Sequence, residues 1–558
     1  MNLDMVETIL RMCGGLGLFL FGMKLMGDGL EMTAGAKLRT LIEKLTTNKY
    51  MGALVGLIVT AVIQSSSATT VMVVGFVNAG LMNLAQAVGV IMGANVGTTA
   101  TGLIIAINLT QIAPIAVFLG VCLMSFSKKN NRKHFGQIIA GFGILFMGMD
   151  TMKNAMAPLA EAQLFKDMIT SFSNPLVGVL VGLAFTAIIQ SSSASLGVLQ
   201  ALGFAGAITL PSAVFVIYGQ NIGTCVTALL SAIGTSKTAK RTAIVHLLFN
   251  VLGAAFFIVI TLATPFTRWV EQMIPGNVVL QISVVHIIFN IITTAILLPL
   301  SNFLIKIAYY VVPGKDVEKE AVSLQYLDSR ILSTPPIAVS QLFKEVERMG
   351  ELAKKNFQYA MEAFLNNDES KIKLVYENEE ILNFLNKSIT EYLVKINGLD
   401  IEDNDRKSIG ALFHVVNDLE RVGDHSENIC ELAQIVIDGK ANPSYLAVSE
   451  IKEMQSMVTG ILEESIYMYS TRSTDKQLAQ NINKTEDEID ERTRQLKDNH
   501  IERLNQGLCS AASGAVFMDL LTNLERIADH ATNIAFSMSE TKKARMLAQS
   551  GAPVAPQS

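Results

Sequence analysis

Two long stretches of this 558-residue chain, 50–127 and 168–236, contain no Asp, Glu, Lys, Arg or His. Runs of that length exclude a water-washed surface and belong in a bilayer. Cysteine is scarce and unpatterned: Cys13, Cys122, Cys225, Cys430 and Cys509 are odd in number, far apart and never in a Cys-x-x-Cys arrangement. That excludes a disulfide framework and a zinc site, and leaves them as small apolar residues. No Gly-x-x-x-x-Gly-Lys-Ser/Thr loop occurs, which argues against a built-in ATPase. The apolar run at the N-terminus follows two acids, Asp4 and Glu7, and precedes no small-residue cleavage site. It reads as a retained first membrane helix rather than a signal peptide.

What charge there is divides the chain. Residues 1–312 hold 17 Lys+Arg and 9 Asp+Glu, a net of +8, whereas residues 313–558 hold 27 and 40, a net of −13. The contrast places a membrane domain at 1–312, a linker at 313–336 ending in Pro335-Pro336, a charged helical domain at 337–541, and a Gly/Pro/Gln-containing tail at 542–558 that reads as disordered. Nothing points to nucleic acid as a partner.

Within the first domain Gln64-Ser65-Ser66-Ser67-Ala68-Thr69 returns 126 residues later as Gln190-Ser191-Ser192-Ser193-Ala194-Ser195. The same offset relates Gly15 to Gly141, Gly22 to Gly148, Gly56 to Gly182, Thr60 to Thr186, Gly93 to Gly219, Asn95 to Asn221, Thr98 to Thr224 and Thr101 to Thr227. Such register means a duplicated unit, about 12–127 and 135–262, followed by an extra helix at about 279–310.

Four consecutive polar side chains in mid-membrane suit a re-entrant hairpin better than a lipid-facing span. If residues 52–81 enter and leave on one side, crossings fall at about 13–30, 85–107, 112–127, 135–156, 212–233, 243–262 and 279–310. The basic loops 37–49, 128–133 and 237–241, with Lys306, then share one face, which the positive-inside rule makes cytoplasmic. The N-terminus lies outside. Three crossings per unit is odd, so the copies are inverted and the Ser-rich tips meet near mid-depth, the architecture of alternating-access transporters.

Each tip offers hydroxyls, an amide and interrupted-helix backbone groups. Helix N-termini favour an anion, while unwound carbonyls and hydroxyls suit a hard cation. With no protein charge nearby, an anion at mid-depth keeps much of its desolvation cost. A co-bound cation offsets it, and sodium is the economical candidate, because a proton-coupled site would be expected to carry an Asp, Glu or His. The matching segments Gly93-Ala94-Asn95-Val96-Gly97-Thr98-Thr99 and Gly219-Gln220-Asn221-Ile222-Gly223-Thr224-Cys225 suggest second helix breaks, bringing Asn95, Thr98, Asn221 and Thr224 near substrate or sodium. Close helix packing is the competing reading. His246/Asn250 and His286/Asn290 form two four-apart pairs, which read as interhelical packing polar groups.

The distal domain carries its own repeat: Glu420-Arg421-Val422-Gly423-Asp424-His425-Ser426-Glu427-Asn428 is echoed 105 residues on by Glu525-Arg526-Ile527-Ala528-Asp529-His530-Ala531-Thr532-Asn533. Two similar helical bundles of about 100 residues each are expected.

The paired Gln-Ser-Ser-Ser motifs, each followed by a Gly-x-Asn-x-Gly-Thr segment, resemble the sodium/phosphate cotransporter family over roughly residues 10–310. The resemblance implies that Gln64, Ser65, Ser66, Ser67, Gln190, Ser191, Ser192 and Ser193 surround inorganic phosphate. Thr69, Asn95, Thr98, Thr99, Ser195, Asn221 and Thr224 are then sodium-binding or site-lining. The copies differ where Thr69-Thr70 becomes Ser195-Leu196 and Thr99 becomes Cys225, which would make sodium sites unequal. The distal repeat looks like a PhoU domain, a tandem of three-helix bundles tied to phosphate regulation. In that family Glu420, Asp424, Glu525 and Asp529 would be metal ligands; an Arg–carboxylate surface network is the alternative.

The expectation is an all-α polytopic protein of the cell membrane with inverted repeats and two re-entrant hairpins. It would be no enzyme but a sodium-coupled phosphate transporter, under control of a cytoplasmic PhoU-like domain. A membrane-anchored phosphate sensor or scaffold, or a carrier or exporter of phosphate or another oxyanion, stands beside it. Homo-oligomers or phosphate-signalling proteins are the expected partners besides lipid.

Overall fold

The computed structural model describes residues 3–537 apart from 46–47, 315–321, 334, 400, 402, 472 and 474. The expected tail at 542–558 lies outside the described residues, as does part of the expected linker. Among the described residues every regular element is helical, and the chain forms two compact units: Met1–Val317 with Asp328–Ile337, and Glu318–Leu327 with Ala338–Ser558.

The first unit begins with α1 (Leu3–Leu45), α2 (Lys49–Ile63), α3 (Ser66–Asn78), α4 (Leu84–Ala106) and α5 (Ala113–Phe126). The second copy supplies α6 (Asn130–Glu161), α7 (Gln163–Ser171), α8 (Pro175–Ile189), α9 (Ser192–Phe204), α10 (Leu210–Gly223), α11 (Cys225–Ser231) and α12 (Lys237–Ala263); α13 (Phe266–Met273), α14 (Val278–Leu297) and α15 (Ser301–Val311) follow. Among the described residues six segments are long and apolar enough to cross a bilayer: Val6–Ala34, Leu84–Ala106, Asn130–Ala157, Leu210–Ser231, Lys237–Ala263 and Val278–Leu297. By contrast α2 and α3 have 15 and 13 residues. At 1.5 Å per residue each reaches only about 20 Å, short of a hydrocarbon core of about 30 Å.

Glycine sets how closely these helices approach. A methyl group at Gly56 would overlap the Val90 carbonyl, one at Gly93 the Ala53 carbonyl, and in the second copy Gly182 faces Val216 and Gly219 faces Val179 in the same way. α2 is thereby laid backbone-to-backbone on α4, and α8 on α10. α1 and α6 use the same device on each other: Gly15 meets Gly148, and Gly22 meets Gly141. Each of these four residues is the 126-offset partner of one in the other pair, so α1 and α6 pack antiparallel about a local two-fold.

Several expectations are corrected. The basic stretch 37–49 is not a loop, since α1 continues to Leu45. The expected crossing at 279–310 is two helices, broken between Leu297 and Ser301 because Pro299 has no N–H to donate and its ring clashes with the preceding turn. The expected crossing at 112–127 is a 14-residue helix, shorter than a full span, with Gly120 pressed on Ala140 of α6. The second helix break is absent from the first copy, where α4 runs unbroken through Gly93–Thr99; in the second copy the junction of α10 and α11 at Thr224 stays right-handed helical, φ −63° and ψ −21°. Gly93, Gly97, Gly219 and Gly223 serve close packing instead.

The second unit holds α16 (Pro335–Asn366), α17 (Glu369–Asn397), α18 (Asp403–Ile437), α19 (Tyr445–Ser470), α20 (Lys476–Asn505) and α21 (Ala511–Phe536), two successive sets of three. Apolar residues three and four apart, such as Val346, Met349 and Ala353 on α16 or Leu520, Leu524 and Ile527 on α21, are buried. Where α18 crosses α21, His425 and His530 stack with centroids 5.7 Å apart. His425 Nδ1 bonds Asn523 Oδ1 and His530 Nδ1 bonds Asp418 Oδ1, each at 2.9 Å. These pairs exchange under the 105-residue offset, so this repeat too is joined by self-matching contacts.

Candidate functional site

Both Ser-rich segments are helix breaks of one geometry. α2 stops at Gln64 and α8 at Gln190, each with φ 59° and ψ 24°, and each with its N–H donated to the Thr four residues earlier, Thr60 or Thr186. The next residue restarts a helix: Ser65 and Ser191 are N-caps whose hydroxyls accept the amide N–H of Ala68 and Ala194, both at 3.2 Å. Serine favours this position because its side chain replaces an intrahelical acceptor. Thr60 donates to Thr69 Oγ1 at 3.0 Å and Thr186 to Ser195 Oγ at 2.8 Å, tying the two arms beside each break.

The first-turn amides of α3 and α9 at Ser66, Ser67, Ser192 and Ser193 have no intrahelical acceptor. Each N-terminus lies beside the C-terminus of α2 or α8, so each break sets N–H groups, suited to an anion, next to carbonyls, suited to a cation. The two breaks meet: Ser67 Oγ donates to the Gln190 carbonyl at 3.2 Å. Ser193 Oγ donates to Thr101 Oγ1 at 3.4 Å, and Thr101 donates to Gln64 Oε1 at 2.8 Å. All eight Gln and Ser positions expected around phosphate therefore fall at these two touching breaks. Gln64 is buried and Gln190 exposed.

Of the positions expected to line the site, Thr69 and Ser195 are the buried partners of Thr60 and Thr186. Asn95 and Asn221 are buried on α4 and α10 and donate to Ile91 and Ile217 carbonyls of their own helices at 2.9 Å. Thr98 donates to Ala94 at 3.1 Å and Thr99 to Val96 at 2.7 Å, whereas the buried Thr224 hydroxyl has no partner. Thr60, Thr186 and Thr101 join the site without having been expected there; their signal was membership of the 126-residue register. Gln200 and Ser283 also join: Gln200 Nε2 donates to the Gly102 carbonyl at 2.9 Å and to Ser283 Oγ at 2.8 Å, holding α9 against α4 and α14. His246 and His286 are buried, each with its carbonyl accepting the amide of the Asn four residues on. That is the local bonding of a packed helix.

Also in the first unit, residues 328–331 form a strap. Asn78 Nδ2 donates to Asp328 Oδ2 at 2.8 Å, Asp328 pairs with Arg330 at 2.9 Å, and Arg330 donates to the Ser231 and Ile233 carbonyls at 2.6 and 3.1 Å. Ile331 is fully buried, next to Gly75 of α3. The chain just before it is fixed within the other unit, where the Gln325, Tyr326 and Leu327 amides donate to the buried Glu345 carboxylate.

In the second unit Glu420 and Asp424 lie one turn apart on α18, facing Glu379 of α17. Burial, then Asp424, Glu427 and Glu420, push the Glu379 carboxyl up to about 8, and neither of its oxygens has a hydrogen-bond partner. Glu525 and Asp529 lie likewise on α21, where Lys497 reaches Glu525 at 3.3 Å and Arg526 reaches Asp529 at 3.6 Å. All-oxygen donors fit a hard metal in kind. Among the described residues no three possible ligands are grouped tightly enough to hold one, so no step is routed through a metal.

Residues 18–154 and again 147–292 match one family, described as Na+/Pi-cotransporter, and residues 346–433 and 451–538 match the PhoU domain. The Bacillus subtilis protein YqeW is 33% identical over 298 residues, 96% of its own length and 53% of this chain. The chain belongs to the Na+/Pi-cotransporter family. It is thus a membrane protein of a phosphate-transport family that carries a PhoU domain, and the double match follows the duplicated unit. YjbB of Salmonella typhimurium, named for inorganic phosphate export, is 23% identical over 538 residues, 96% of this chain and 98% of its own. PhoU from Pseudomonas aeruginosa superposes with a TM-score of 0.35 at 21% identity, covering 37% of this chain and 97% of that one.

Proposed function

We propose that this cotransporter-family protein carries inorganic phosphate across the cell membrane coupled to sodium, at a site built from Gln64, Ser65–Ser67, Gln190 and Ser191–Ser193. The observation that carries the reading is the contact of the two breaks, Ser67 to Gln190, which brings two helix N-termini and two helix C-termini together in a region without a charged side chain. Phosphate takes the N–H groups and hydroxyls, and sodium takes the carbonyl and hydroxyl oxygens. Each ion offsets the other's desolvation. The self-matching Gly15–Gly148 and Gly22–Gly141 contacts support an inverted repeat, since antiparallel helices related by a two-fold need an axis lying across them.

Net direction follows the summed gradients. Full-length relatives named for phosphate export favour release from the cell, with the PhoU-like domain on the cytoplasmic side restraining the carrier.

Replacing Ser66 or Ser192 by Ala removes one hydroxyl from a charged ligand, a loss on the order of 1.5–3 kcal/mol. The phosphate half-saturation in reconstituted vesicles should therefore rise by about tenfold or more. Unchanged half-saturation in both variants would remove phosphate from this site.

A further inference from the structure

Three helices are tied together at one point of α4. The Gly102 carbonyl accepts Gln200 Nε2 of α9 and Ser283 Oγ of α14, both at 2.9 Å, and Gln200 also donates to Ser283 Oγ at 2.8 Å. Glycine is required here, since a Cβ at Gly102 would lie 2.6 Å from Leu196 Cδ2. One residue earlier on α4, Thr101 accepts from Ser193 of the second break and donates to Gln64 of the first. Leu196 and Gln200 follow Ser193 by three and seven residues, so the three side chains form one stripe along α9. That stripe rests on Thr101 and Gly102.

Packing alone does not account for Gln200. Its side chain is fully buried and its Oε1 has no hydrogen-bond partner, so the amide bears a desolvation cost that Leu or Met in the same space would not. The first copy is built without the clamp. Val74 stands where the second copy has Gln200 and is as deeply buried. Thr227, the counterpart of Thr101, donates to the Thr224 carbonyl one turn back at 2.9 Å, and Ser67, the counterpart of Ser193, reaches the Gln190 carbonyl instead. The duplicated unit therefore packs with an apolar residue at this place, and the polar clamp belongs to the second copy alone.

We infer that Gln200, held by Ser283, is a positioning residue for the phosphate site proposed above. Its bond to Gly102 fixes where α9 sits along α4, so that Ser193, two turns away, meets Thr101 and through it Gln64. The inference rests on that phosphate reading and deepens it, because it makes the meeting of the two breaks depend on a bond remote from both.

The test is phosphate flux of the full chain in proteoliposomes under one fixed sodium gradient, for wild type, Gln200→Met, Thr101→Val and the double variant. Gln200→Met keeps the volume and removes the amide; Thr101→Val removes the hydroxyl between the breaks. Each single variant should raise the phosphate half-saturation about three- to tenfold, the worth of one hydrogen bond, with a smaller change in maximal flux. The double variant should be no worse than Thr101→Val, because Gln200 acts through that hydroxyl. A wild-type half-saturation in Gln200→Met overturns the inference. So does a double variant in which the two factors multiply, which makes the clamp a packing contact independent of the breaks. Should Gln200→Met not be recovered folded, Ser283→Ala takes its place: a rise that vanishes in the Thr101→Val background supports the inference, and a wild-type half-saturation overturns it. Ser192→Ala separates this inference from the reading beneath it. If Ser192→Ala raises the half-saturation and Gln200→Met does not, the phosphate site stands and the positioning role falls; if no variant moves it, both fall.

Discussion

Gln64 and Gln190 hold a left-handed backbone that costs a residue with a Cβ about 1 kcal/mol or more. The same strain at both copies is retained because it ends one helix and starts another within two residues. Identity of the dipeptide step was readable in the sequence; its role was not, since Ser65 and Ser191 are helix caps as well as expected ligands. Thr101 was visible only as a register partner. Its place between Ser193 and Gln64 depends on how the first copy's α4 passes the second copy's break, a tertiary fact. At this scale Glu379 gives a pH prediction. Its carboxyl is raised to about 8 from 4.5, so its contribution to stability is fully present below pH 4.5 and is lost as pH rises through 8. Glu379→Gln should therefore stabilise the second unit at pH 8.5, on the order of 1–3 kcal/mol, and make little difference at pH 5. Amide hydrogen exchange of residues 372–396 in the purified protein measures this, and equal protection of variant and wild type at pH 8.5 would refute it.

Among the elements, glycine and proline explain where reading the sequence succeeded and failed. The same glycines suit a broken helix or a close helix pair, and only the carbonyls opposite them decide: Ala53 against Gly93 and Val179 against Gly219. The break at Pro299 was masked by continuous hydrophobicity on both sides of it. Because a Cβ at Gly93 would overlap the Ala53 backbone rather than a flexible side-chain end, Gly93→Ala should cost about 1–3 kcal/mol. A lower melting temperature in detergent, by several degrees, is the readout. The strap makes a second prediction. Arg330 donates to the Ser231 and Ile233 carbonyls and pairs with Asp328, which Asn78 holds at the end of α3. Arg330→Ala should speed amide exchange at residues 76–81 and 231–236. Unchanged exchange in both segments would make the strap a passive connection.

At the scale of the whole molecule, the absence of charge from 50–127 and 168–236 foretold a membrane domain, and two internal offsets, 126 and 105 residues, foretold two duplications. Both duplications are matched by doubled family assignments and by contacts that exchange under the offset, Gly15–Gly148 with Gly22–Gly141 and His425–Asn523 with His530–Asp418. Symmetric pairs of this kind arise when one unit packs against its own copy. The copies depart from symmetry at Gln220, which stands where the first copy has Ala94, and at an exposed Gln190 against a buried Gln64. The measurement that tests this account most directly is labelled phosphate flux by the full chain in proteoliposomes, with a sodium gradient compared against potassium or choline. The account predicts flux that requires sodium and follows its gradient. Phosphate flux indifferent to sodium, or no flux of phosphate at all, would contradict it.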